Sequence, residues 1–152
     1  MKKDYSRNVK FMDSMIAKMK ELNIDVYVII TGEGADPIPL TCFGVDTIGS
    51  SGYAFTSGGE KLAMASVIDA QDVEESEMYD KVVHYQDFYT DFAALVRQLP
   101  HKVIAFDYSE EVPLCDGLTM GKYMQFVNAL GDKDFKAVSS DTFIPAAMEM
   151  AK

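Results

Sequence analysis

Histidine and cysteine are scarce in this sequence, at two residues each, and the 14 lysines and arginines are outnumbered by 24 aspartates and glutamates. Each shortage removes a class of function. A metal hydrolase needs several His, Asp or Glu ligands converging on one point, with a coordination position left open. His84 sits inside a strand pattern, and His101 follows Pro100 on a surface turn. Neither has a second histidine at helical spacing, and there is no His-Glu-x-x-His frame. Cys42 and Cys115 make no disulfide framework and lack Cys-x-x-Cys spacing, so they read as buried free thiols in a reducing compartment. As a nucleophile Cys42 would need a nearby base and a lowered pKa, and the sequence signals neither. A formal net charge of −10 repels a phosphate backbone, so nucleic acid is not an expected partner. Long apolar runs are missing too. The N-terminus leads into an amphipathic segment without a signal-peptide core, and nothing later has the length of a membrane span. No membrane partner is expected, and the expected compartment is the cytoplasm.

Familiar catalytic frames are incomplete. Spacing leaves a Ser/His/Asp triad open, since triads assemble in space, but no Gly-x-Ser-x-Gly elbow presents a serine. Gly32-Glu33-Gly34 starts like a dinucleotide fingerprint. The third glycine and the immediate helix are absent, and Pro39 would remove a helical hydrogen bond. A turn accounts for it. The acidic run Asp69, Asp72, Glu74, Glu75, Glu77 and Asp80 matches no calcium loop and reads as a solvated helix. By its own residues the chain looks non-catalytic.

What is present is globular composition, 48% hydrophobic and 25% charged over 152 residues, enough for one domain with a proper core. Val9, Met12, Ile16 and Met19 share a helical face, with Met15 and Leu22 beside it. This predicts a helix capped by Asp4 or Ser6 and running to about Leu22, its methionines serving as core. Ile24 to Ile30 is a β-branched run suited to a buried strand. It delivers a loop with two glycines and two prolines to the strand's C-terminal end, where open α/β sheets commonly bind ligands. Two β-capable runs flank Gly58-Gly59, predicting a hairpin whose glycines take positive φ. Lys81–Tyr85 and Lys102–Asp107 are further predicted strands. Between them a helix starts at Asp87, buries Phe88, Phe92, Leu95, Val96 and Leu99, and stops at Pro100. A helix capped by Asp116 or Thr119 is predicted to turn Met120, Tyr123, Met124, Val127 and Leu130 inward and to end at Gly131. A short strand at 135–138 and a helix from Phe143 to about Ala151 close the chain. The alternation predicts an α/β layer fold with a mixed sheet.

The order of these elements resembles the N-terminal domain of the creatinase/prolidase/Xaa-Pro aminopeptidase family. Arg7 and the opening helix match that pattern. So does Leu22-Asn23-Ile24-Asp25-Val26, with Asn23 where glycine is usual. In the segment after the first strand, Asp36 stands at an Asn position and Pro39 at a Tyr position. Leu40, Thr41 and Phe43 match directly, and Cys42 replaces a glycine. Val103-Ile104-Ala105-Phe106-Asp107 and Val138-Ser139-Ser140 resemble later family segments. The resemblance implies a single ribonuclease H-like, three-layer α/β domain over 1–152, with a mixed sheet flanked by helices. Residues from about 139 to 152 would form a linker helix towards a catalytic domain that this sequence lacks. In the family's peptidases that "pita-bread" domain holds two divalent metal ions, such as Mn, Co or Zn, on two Asp, one His and two Glu. A bridging water on those metals attacks the bond before proline. For this chain the implied role is a non-catalytic one, with no cofactor of its own: shaping substrate access and contributing to a homodimer. Asp36, Leu40, Thr41 and Phe43 are the residues expected at the cleft. A stand-alone peptide- or protein-binding module of the same fold is the alternative. So is the N-terminal domain of a creatinase-like hydrolase.

Overall fold

The computed structural model describes residues 3–152. Helix α1 spans Ser6–Glu21 and buries Phe11, Met12, Met15, Ile16 and Met19. Asp4 serves the helix entry by accepting from Ser6 N at 2.9 Å. At the far end, Asn23 takes a φ of 58°, Asn23 N donates to Lys20 O, and Ile24 N donates to Met19 O. This is the paired closure that ends helices at a left-handed residue. Asparagine tolerates that conformation better than other residues with a Cβ, which explains how it occupies a position where glycine is usual.

Strand β1, Val26–Thr31, is buried along its whole length. It pairs antiparallel with β2, Ser51–Thr56, and β2 pairs antiparallel with β3, Lys61–Ala65. Strands β4 (Lys81–His84), β5 (Val103–Phe106) and β6 (Lys136–Ser139) complete a six-stranded mixed sheet of order β4-β3-β2-β1-β5-β6. β5 runs parallel to both β1 and β6, and β4 parallel to β3. Asp25 locks the start of β1 to β5, its carboxylate accepting from Val103 N at 2.8 Å.

Because successive strand residues point to opposite faces, the sheet separates two cores. Tyr27, Ile29, Tyr53, Phe55 and Ala105 pack towards α1 and α5 (Ile144–Met150). Val26, Val28, Ile30, Ile104 and Phe106 pack towards α3 (Phe88–Arg97) and α4 (Met120–Leu130). Helix α2, Val67–Glu75, lies over β3 and β4. The result is the expected ribonuclease H-like three-layer arrangement. It leaves the carboxyl ends of β1 and β5 side by side, where the loop after β1 folds.

The details depart from the sequence pattern in two places. In the hairpin turn only Gly59 has positive φ, at 105°, because Glu60 separates it from β3 and one left-handed residue suffices. In α4 the inward face is set by Phe126 and Leu130, while Met120 and Met124 are 77% and 55% exposed. Phe126 meets the rings of Phe92 and Phe106 at 5.7 and 6.0 Å, and this aromatic contact outweighs the methionine stripe. Thr119 caps α4 by accepting from Lys122 N, and Gly131 ends it.

Candidate functional site

The loop after β1 is organised by Asp36. Its backbone N–H donates to Thr31 Oγ1 at 2.9 Å, and its carboxylate oxygen Oδ1 accepts from Ile38 N at 3.0 Å. The latter contact is the short Asx turn that aspartate favours. It launches one turn of π-helix, Pro39–Phe43, closed by Gly44 at a φ of 83°. Asp36 is itself buried, and Gly117 lies so close that a Cβ there would sit 2.6 Å from Asp36 Cγ. Only glycine lets the β5–α4 connection cross at this distance.

Beneath this crossing lies a buried polar knot. Asp107, directly after β5, is buried, and its Oδ1 accepts from the Tyr27 hydroxyl at 2.5 Å. Burial pushes the Asp107 carboxyl well above its ordinary range, and the hydrogen bond to Asp36 and its charge push the same way. Burial likewise raises Asp36, against the opposing pull of its hydrogen bonds to Asp107 and Ile38. Of the two, Asp107 is pushed up further, so burial keeps that carboxyl neutral to higher pH. The Oδ2 atoms of both carboxyls are buried without a well-formed hydrogen-bond partner. The Ser140 hydroxyl, also fully buried, interacts with Asp107 and with Cys115 without completing a well-formed hydrogen bond. Burial pushes the Cys42 thiol up to about 12 and the Cys115 thiol up to about 11, so both are protonated and poor nucleophiles.

Among the described residues no three His, Cys, Asp or Glu side chains converge where they could hold a metal ion. His84 is near Glu74 at 3.3 Å, and His101 lies between Leu99 O and Asp132. The carboxyl pair, sealed from solvent, acts as a clamp that ties the loop after β1 to the loop after β5.

Of the four residues expected at a cleft, the structure places two inside. Asp36 belongs to the knot, and Phe43 packs against Phe11, Tyr53 and Phe55. Leu40, 57% exposed, and Thr41 face outward from the π turn. Thr41 borders a cleft of about 230 Å³ with Arg7, Asn8, Met148 and Lys152. Tyr27, Gly117 and Ser140 escaped the sequence reading. A phenol amid an aliphatic strand and an aspartate closing the neighbouring one were the available signs.

No family model matches the sequence, and neither does any curated protein. Solved structures do. An X-Pro aminopeptidase from Thermotoga maritima superposes with a TM-score of 0.64 and 18% identity, over 91% of this chain and 35% of its own. The Xaa-Pro dipeptidase of Bacillus anthracis gives 0.64 and 13%, over 87% of this chain and 34% of its own. The N-terminal domain of the cytoplasmic peptidase PepQ from Mycobacterium tuberculosis gives 0.64 and 11%, over 95% of this chain and 99% of its own. The chain therefore has the fold of such N-terminal domains and spans about a third of the length of the larger peptidases it matches.

Proposed function

We propose that this chain is the non-catalytic N-terminal domain of an Xaa-Pro peptidase, of aminopeptidase P or prolidase type, working in the cytoplasm. It stands beside a pita-bread catalytic domain carrying two divalent metal ions. It shapes substrate access with the outward residues of its π turn, Leu40 and Thr41, and adds contacts to a homodimer. The observation that carries this reading is the superposition on a single N-terminal domain over nearly the whole of both chains. The interior of the site suits a scaffold. Two buried carboxyls and two protonated thiols sit among the loop contacts and offer no nucleophile.

The test has two arms. The reading frame beyond Lys152 is expected to continue into a domain with two Asp, one His and two Glu as ligands. A stop codon there would favour the stand-alone binding module. Proline release from an Xaa-Pro dipeptide with Mn²⁺ is expected from the full reading frame and not from residues 1–152 alone. Release by residues 1–152 would overturn the proposal.

A further inference from the structure

The turn of α4 away from its methionines leaves a surface that the scaffold role does not use. An apolar groove of about 410 Å³ lies between the start of α4 and β6, lined in part by Leu118, Met120, Tyr123 and Ala137. On the other side of Tyr108 a second hollow of about 420 Å³ is lined by Glu110, Glu111, Asp116 and Asp141. Tyr108 and Asp116 line both, and no lysine or arginine lines either. Asp116 and Asp141 each use one carboxylate oxygen on Ser109. Among the described residues no lysine or arginine forms an ion pair with any of the four acids. The two hollows therefore make one continuous track, apolar at one end and anionic at the other, hinged on a 44%-exposed tyrosine.

We propose that this track docks a segment of another polypeptide in which a large apolar side chain stands next to two or more lysines or arginines. The apolar end gains by covering Met120 and Tyr123, and an unbranched methionine adapts to more than one side chain. The acidic end recognises a cation by charge complementarity. That same charge argues against the other occupants. A second copy of a chain of net charge −10 would bring four carboxylates against four. Nucleic acid and anionic lipid would be repelled in the same way. The apolar end lies on the α3/α4 side of the sheet, and neither hollow is lined by Leu40 or Thr41, so failure of the proposal would leave the scaffold reading standing.

The experiment titrates ¹⁵N-labelled protein with a capped peptide, Lys-Leu-Phe-Lys-Arg-Leu, and with two controls. One control replaces every basic residue by Glu, the other every apolar residue by Ser. Saturable amide shifts confined to 108–124 and 136–141 are expected with the first peptide only. Met120→Ser should weaken binding by about tenfold, the scale of one lost apolar anchor. Glu110→Gln with Glu111→Gln should weaken it by about threefold and flatten its salt dependence. Both sites are on the surface, and thermal melts check that the variants remain folded. Equal binding of the Glu peptide, shifts located elsewhere or no saturation would overturn the proposal. So would a dimer in sedimentation that is lost in Met120→Ser, because the face would then belong to a second copy.

Discussion

Burial raises the Asp107 carboxyl above its ordinary range, because water solvates the carboxylate and the core does not, so the fold holds this proton to higher pH than the unfolded chain. Its folded pKa is raised above the ordinary 3.8, so between those values the native state holds a proton the unfolded chain has lost. The contribution is complete below the ordinary value and falls as pH rises towards the folded one, by up to about 1.4 kcal/mol per pH unit. Asp107→Asn keeps a neutral donor towards Asp36 and removes the titration. In urea melts, the wild type is expected to lose stability relative to Asp107→Asn as pH rises above the ordinary carboxyl value of 3.8. Parallel profiles would mean the carboxyl is ionised in the fold. Tyr27→Phe deletes the donor to Asp107 and should cost about 1–3 kcal/mol in the same assay. Phe43→Ala opens a cavity among aromatic rings and should cost about 3–5 kcal/mol, whereas Thr41→Ala, on the surface, should stay within about 0.5 kcal/mol. A test of the proposed substrate contact at this loop therefore belongs on Thr41, which is exposed where Phe43 is buried.

At the scale of elements, the end of α1 near Leu22 was legible from its apolar periodicity, and the structure adds the left-handed stop at Asn23. The facing of α4 was not. Met120, Tyr123, Met124, Phe126, Val127 and Leu130 span an arc of about 160° on the helix, wide enough that periodicity does not say which edge of it is buried. The rings of Phe92 and Phe106, distant in sequence, select that edge. Phe126→Ala should accordingly cost about 3–5 kcal/mol and Met120→Ser less than about 0.5 kcal/mol in urea melts, the reverse of what the methionine stripe predicts. Helix α3 crosses β2 at Gly52, where a Cβ would lie 2.6 Å from the Phe92 ring. Gly52→Ala should cost about 1–3 kcal/mol through overpacking. Combining it with Phe92→Leu should recover part of that loss, a coupling that a double-mutant cycle measures.

Across the whole molecule, the segment expected as a linker, 139–152, contributes to the core. Ser139 ends β6, and Phe143, Ile144 and Ala147 are buried on the α1 side of the sheet. Phe143 meets the Tyr27 ring edge-on at 5.0 Å, above the carboxyl pair. Ending the chain at Thr142 should therefore abolish cooperative unfolding by circular dichroism, because it bares the methionine face of α1. A sharp melt from such a truncation would show α5 to be an appendage. The sequence by itself determined the order of elements, the stop of α4 at Gly131, and the charge that turns away phosphate. All of these follow from neighbouring residues or from composition. Tertiary structure alone decided which face of α4 is inside, that Asp36 and Phe43 are interior while Leu40 and Thr41 are not, and that the carboxyls of Asp36 and Asp107 are both buried. Those outcomes depend on separate chain segments meeting in the fold, and no local pattern encodes the dielectric they find there.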